Sequence, residues 1–177
     1  MSDSQQGSRA PLDMSEQPGN VRAPVDASEQ PNSTRAPYQM SVPTLILTVG
    51  LPRSGKSTWA RGQECPIVCP DAIRLALHGQ PFIASAEPFV WAIARVMVRS
   101  LFGAGHTAVI LDACNVSRKR RDEWLSTEWT TRTQLFFVPM AVCKQRARDD
   151  GRLDLLPVID RMAAEWDSPT EEEENGR

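Results

Sequence analysis

Residues 44–58 read Thr44-Leu45-Ile46-Leu47-Thr48-Val49-Gly50-Leu51-Pro52-Arg53-Ser54-Gly55-Lys56-Ser57-Thr58. The first six are apolar or β-branched, the composition of a buried strand. The rest fits G-x-x-x-x-G-K-[ST], the phosphate-binding loop of nucleoside triphosphate enzymes. Thr58-Trp59-Ala60-Arg61 can continue as a helix, so both flanks suit the motif. Gly50 and Gly55 lack Cβ, which lets the backbone turn sharply and approach an anion. Successive N–H groups along Leu51, Pro52, Arg53, Ser54 and Gly55 then face the phosphates, with proline the one residue that donates nothing. Lys56 is placed to reach the β- and γ-phosphates, and Ser57 to ligate Mg²⁺. This pattern alone predicts a protein that binds a nucleoside triphosphate with Mg²⁺.

Downstream, short apolar runs alternate with helical stretches. Strands are expected at 66–69, 107–112 and 133–138, and helices near 71–79, 86–102, 118–124, 141–149 and 155–166. In the long 86–102 stretch, Phe89, Ile93, Val96, Met97 and Leu101 share helical spacing and are expected to face the core, with Trp91 beside them. Alternating strands and helices predict a central parallel sheet of about four strands flanked by helices. Ligands in such sheets bind at the carboxyl ends of the strands. Those ends deliver Gly50, Pro70-Asp71, Asp112 and Pro139, so separated segments are expected to converge on one edge.

Outside this core the composition changes. Residues 1–42 repeat Arg-Ala-Pro at 9–11, 22–24 and 35–37, and Ser-Glu-Gln-Pro at 15–18 and 28–31. The units are too short and polar to stack as a solenoid, so a disordered leader is expected, with a partner-binding arm as the alternative. The kinase-type domain is expected over 43–167, followed by a disordered acidic tail over 168–177. The net charge of −2 conceals a partition: residues 41–164 carry +5, against −2 for 1–40 and −5 for 165–177. A basic central domain suits a polyanionic substrate. No apolar run approaches a membrane span, and the polar N-terminus lacks a signal core, so a cytoplasmic protein is expected. The four cysteines and two lone histidines form no metal-site spacing and read as reduced thiols and isolated rings.

Several residues could carry chemistry. Asp112 ends an apolar strand, the position from which a carboxylate helps to hold Mg²⁺; a plain turn aspartate is the alternative. Asp71 could take the proton of an acceptor hydroxyl, or simply cap a helix. Arg74 lies one turn on, on the same helical face. Arg146 and Arg152 could close as a lid over a transferring phosphoryl group, or belong to an ion-paired surface helix. The 118–121 basic cluster could track a nucleic acid backbone, or be a solvated face.

These residues resemble the polynucleotide 5′-hydroxyl kinase family of P-loop phosphotransferases. The phosphate loop with its Thr58-Trp59-Ala60 continuation carries the resemblance, as do Asp71-Ala72-Ile73-Arg74 and Asp112-Ala113-Cys114-Asn115 with Arg121. The 145–162 stretch, with Pro157, Ile159, Arg161 and Met162, is similar to the family's arginine lid and closing helix. The resemblance implies that Asp71 is the general base, that Arg74 contacts an acceptor phosphate, and that Arg146 and Arg152 engage the donor phosphates. It implies ATP and Mg²⁺ as cofactors and a 5′-OH end of RNA or DNA as acceptor. A nucleoside or other small hydroxyl compound is the alternative acceptor, and a non-catalytic ATP-binding module the alternative class. Two departures stand out. Cys114 replaces the usual threonine, and Arg53 replaces a small residue within the loop, where it either adds an anion contact or crowds the site.

Overall fold

The computed structural model describes residues 42–177; the repeated leader therefore lies outside the described residues. Four strands, β1 (Thr44–Val49), β2 (Ile67–Val68), β3 (Ala108–Leu111) and β4 (Thr130–Leu135), form one parallel sheet in the order β2-β3-β1-β4. The helices between and after them are α1 (Lys56–Arg61), α2 (Pro70–His78), α3 (Glu87–Gly103), α4 (Arg118–Asp122), α5 (Met140–Asp149), α6 (Leu156–Ala164) and α7 (Glu171–Asn175). The expected α/β architecture is the observed one.

Two apolar clusters make up the core. In one, Leu45, Leu47, Val109 and Leu111 meet Val90, Ala94 and Val98 of α3, together with Trp124 and Trp129. In the other, Leu51 and Val116 meet Cys143 and Ala147 of α5 and Ile159 of α6. The second cluster sits directly under the phosphate loop and ties it to the helices that follow β4.

Three expectations are corrected. The buried stripe of α3 is Val90, Ala94 and Val98, whereas Phe89, Val96 and Met97 are exposed. Small and β-branched side chains let the helix approach the sheet closely, which the bulk of Phe89 would prevent. The fourth strand begins three residues earlier than expected, at Thr130, with Thr131 and Thr133 facing inward. Phe136, Phe137 and Val138, the most apolar part of the expected strand, form the turn into α5. Finally, the acidic stretch 168–177 is not a solvated tail. Thr170 and Glu173 form a reciprocal capping box that starts α7, and such a box satisfies two free backbone donors. Arg177 then pairs with the outer edge of β4 through two backbone bonds to Thr131, at 2.9 and 2.8 Å. An otherwise open sheet edge is thereby covered.

The same correction moves Arg121. Its guanidinium, 1% exposed, donates to both carboxylate oxygens of Glu173, at 2.9 and 3.3 Å. It also donates to the carbonyls of Asn115, Val116 and Asp167. Arg121 is thus a buried clamp between α4, α7 and the loop after β3, and takes no part in any basic surface.

Candidate active site

The carboxyl edge of the sheet carries the phosphate loop. The loop after β3 is laced to the end of β1. Gly50 N–H donates to the Cys114 carbonyl at 3.0 Å, and Asn115 Nδ2 to the Thr48 carbonyl at 3.0 Å. Thr48 Oγ1 donates to the Ala113 carbonyl at 2.7 Å. Asn115 stands at φ 42, a left-handed conformation that asparagine tolerates better than most residues. Gly50 is required by space: a Cβ there would lie 2.6 Å from Ser54 Oγ and 3.0 Å from both Cβ and the carbonyl oxygen of Phe136. Gly50→Ala must push the Ser54 hydroxyl aside and crowd Phe136, and is expected to cost about 1–3 kcal/mol, the range for overpacking, in chemical denaturation. Gly55 is required by conformation, with φ 100; the space beside it is open.

Lys56 is buried, and its Nζ donates to the Leu51 carbonyl at 2.7 Å and to Ser54 Oγ at 3.4 Å. Its ammonium is therefore held over the loop it would serve. Ser57 and Thr58 are exposed on the first turn of α1. Asp112 is buried at the end of β3, its N–H bonded to the Val68 carbonyl at 2.9 Å. Among the described residues no three His, Cys, Asp or Glu side chains are grouped to hold a metal ion. One hydroxyl and one carboxylate, hard oxygen donors, make a partial set that suits Mg²⁺ bound mainly through water and substrate phosphates. Cys114 faces Lys56. Burial raises its thiol pKa against the pull of the Lys56 charge.

On the opposite flank, Asp71 opens α2 directly after β2, on the same sheet edge, with its side chain 83% exposed. Arg74 pairs with it and is itself mostly buried. Arg74 also donates from Nε and Nη2 to the two oxygens of Glu87, at 2.7 and 2.6 Å. The Glu87 hydrogen bonds raise the Arg74 pKa most, and Asp71 adds to the effect. In return Arg74 holds the Glu87 carboxyl below the usual carboxylate range despite its partial burial. Glu87 was not legible as a site residue: it lies 13 positions from Arg74 and belongs to no motif.

The helix after β4 meets the loop. Arg146 Nη1 donates to the Arg53 carbonyl at 3.1 Å, and the Arg53 side chain pairs with Asp150 at the end of α5. Arg53, at φ 69, thus turns its charge toward α5. Both partners are partly exposed, and such pairs contribute about 0–1 kcal/mol. Asp150→Asn is accordingly expected to change stability by less than about 1 kcal/mol in a denaturant titration. Arg152 forks onto Asp154 at 2.9 and 2.8 Å. Asp154 raises the Arg152 pKa most, with a smaller contribution from the charge of Asp71. The structure therefore brings the loop, Asp112, Asp71, Arg74 and α5 to one edge. It occupies Arg74, Arg146 and Arg152 with protein partners. The remaining cluster residues, Arg118, Lys119 and Arg120, are on α4, where Arg120 pairs with Glu123 and stacks 4.5 Å from the Trp91 ring center.

Comparison with known proteins gives a family and a fold. A family model described as an AAA domain matches residues 45–152. One similar solved chain is described as "Structure of Pnkp1/Rnl/Hen1 complex", at 26% identity and a TM-score of 0.54, covering 59% of this chain and 39% of that one. A second, from "Structure of the Pnkp1/Rnl/Hen1 RNA repair complex", is 18% identical with a TM-score of 0.53, covering 74% and 48%. A gluconokinase from Sinorhizobium meliloti 1021 is 19% identical with a TM-score of 0.49, covering 74% and 79%. The chain thus spans less than half the length of the first two. No curated protein matches it.

Proposed function

The chain belongs to this AAA-domain family, as a P-loop kinase domain, and from that premise we propose that it transfers the γ-phosphoryl group of ATP to the 5′-hydroxyl of RNA or DNA. One observation carries the proposal: Asp71 and Arg74 at the start of α2 stand on the same sheet edge as the phosphate loop and Asp112. The 26% identical chain comes from a Pnkp1/Rnl/Hen1 complex, described elsewhere as an RNA repair complex, which supports a nucleic-acid acceptor, as does the basic central domain.

In this mechanism the loop amides and Lys56 bind the triphosphate. Ser57 and Asp112 would hold Mg²⁺, which when bound neutralises charge on the phosphates. Asp71 accepts the proton of the acceptor hydroxyl. Arg146 and Arg152 exchange their present partners, the Arg53 carbonyl and Asp154, for phosphate oxygens as α5 closes over the loop. Closure of that kind excludes water and stabilises developing charge.

A second reading has one observation in its favour. Arg74 already carries two carboxylates, Asp71 and Glu87, which leaves little net positive charge for an acceptor phosphate. That favours a small neutral hydroxyl compound. Labelled ATP offered with 5′-OH oligonucleotides, nucleosides and small polyols distinguishes the two. Label on the oligonucleotides, with affinity falling steeply as salt rises, is the expected result. Transfer to small molecules alone would establish the second reading instead.

A further inference from the structure

The geometry points to Glu87 as a positioning residue that aims the proposed base, Asp71, by constraining Arg74. The inference rests on the phosphotransfer reading above. Glu87 lies in the first turn of α3, against α2. Its two oxygens take Arg74 Nε and Nη2 side by side, a bidentate fork that fixes the guanidinium plane. Glu87 Oε2 also accepts from Trp91 Nε1 at 3.2 Å, so the carboxylate is itself anchored. The Trp91 ring lies 5.9 Å from the Arg74 guanidinium carbon and 4.5 Å from that of Arg120.

With Nε and Nη2 taken, Arg74 offers Asp71 only Nη1, and the contact falls on Asp71 Oδ1. Asp71 Oδ2 has no hydrogen-bond partner among the described residues. A base must leave one oxygen open to the hydroxyl proton, and a single-point contact does so while still fixing the carboxylate. Without Glu87, Arg74 is free to fork onto Asp71 and cover both oxygens. Asp71 is otherwise exposed, so no other residue would restore its aim.

The test is kinetic. Glu87→Gln removes the charge that holds the fork. It is expected to lower kcat by about 10- to 100-fold, the scale of a small misplacement of a reacting group, with the KM for ATP unchanged. In an Arg74→Ala background the same change is expected to cost nothing further, because Glu87 acts only through Arg74. Unchanged kcat, or equal losses in both backgrounds, would overturn the inference and leave Glu87 as a plain α2–α3 tie. If the wild-type chain transfers phosphate to no hydroxyl, the phosphotransfer reading itself fails. The link is then read by ¹⁵N NMR of the Arg74 Nε–H, assigned with Arg74→Lys. Slow exchange that is lost in Glu87→Gln supports the constraint, and protection that persists refutes it.

Discussion

Arg121→Ala is expected to remove about 3–5 kcal/mol of stability, the scale for breaking a buried pair from one side. For a chain of this size that is a fall of about 6–20 °C in melting temperature. The reason is what stays behind. Glu173, 2% exposed, would keep its charge with only Arg177 and the N–H and hydroxyl of Thr170 as partners, and the carbonyls of Asn115, Val116 and Asp167 would lose their shared donor. Replacing the pair together, Arg121→Met with Glu173→Leu, is expected to recover much of the loss, because the unpaired charge is the main cost. The pair also sets an acid limit. Burial pushes the Glu173 carboxyl up, but Arg121, the Thr170 N–H and Arg177 together outweigh it and hold the pKa below its ordinary value. Its contribution is therefore complete above the unfolded carboxylate range, near pH 4.3, and is lost as pH falls through the lower folded value. Thermal melts of the wild type and Arg121→Ala at neutral pH and at about pH 3 check both parts. A mutant melting within about 2 °C of the wild type at neutral pH would show that the clamp is not structural.

That clamp shows which parts of the molecule the sequence made legible. The phosphate loop was readable because its requirements are local: a strand, two glycines and a lysine within 15 residues. The convergence of Asp71 and Asp112 was readable because parallel strands all end on one edge. Glu173 was not, since a run of four glutamates looks the same whether it is solvated or folded. Its one local signal was the Thr170-x-x-Glu173 capping box, and its partner Arg121 lies 52 positions earlier. The face of α3 was legible only in part: Trp91, Ile93 and Leu101 pack against the core as expected, whereas Phe89, Val96 and Met97 do not. The helix is apolar over most of its circumference, so periodicity does not select between the Phe89 and Val90 faces, and close packing against β3 decides. Glu87 and the Arg53–Asp150 contact join residues distant in sequence, and no spacing rule addresses such pairs.

Asp71→Asn is expected to abolish most phosphoryl transfer, by about 10²- to 10⁴-fold, while leaving ATP binding intact. Asparagine keeps the size of the side chain and can still accept a bond from Arg74, but it cannot take a proton. Position makes the expected effect specific. Asp71 opens α2 on the far side of β3 from β1 and the phosphate loop, in the sheet order β2-β3-β1-β4, and the proposed mechanism therefore gives it no part in holding the triphosphate. Its side chain is 83% exposed, and exposed pairs contribute about 0–1 kcal/mol, so stability should hardly change. Lost activity in a folded, ATP-binding variant would then report on chemistry. Single-turnover transfer to whichever hydroxyl acceptor the profiling selects measures the rate, and calorimetric titration with ATP measures binding. Unchanged turnover would remove Asp71 from the role of base and return it to that of a helix-opening residue. Weakened ATP binding with a proportionate fall in rate would place it on the donor side instead. Only a fall in kcat at constant ATP affinity matches a base that meets the acceptor on the sheet edge it shares with the loop.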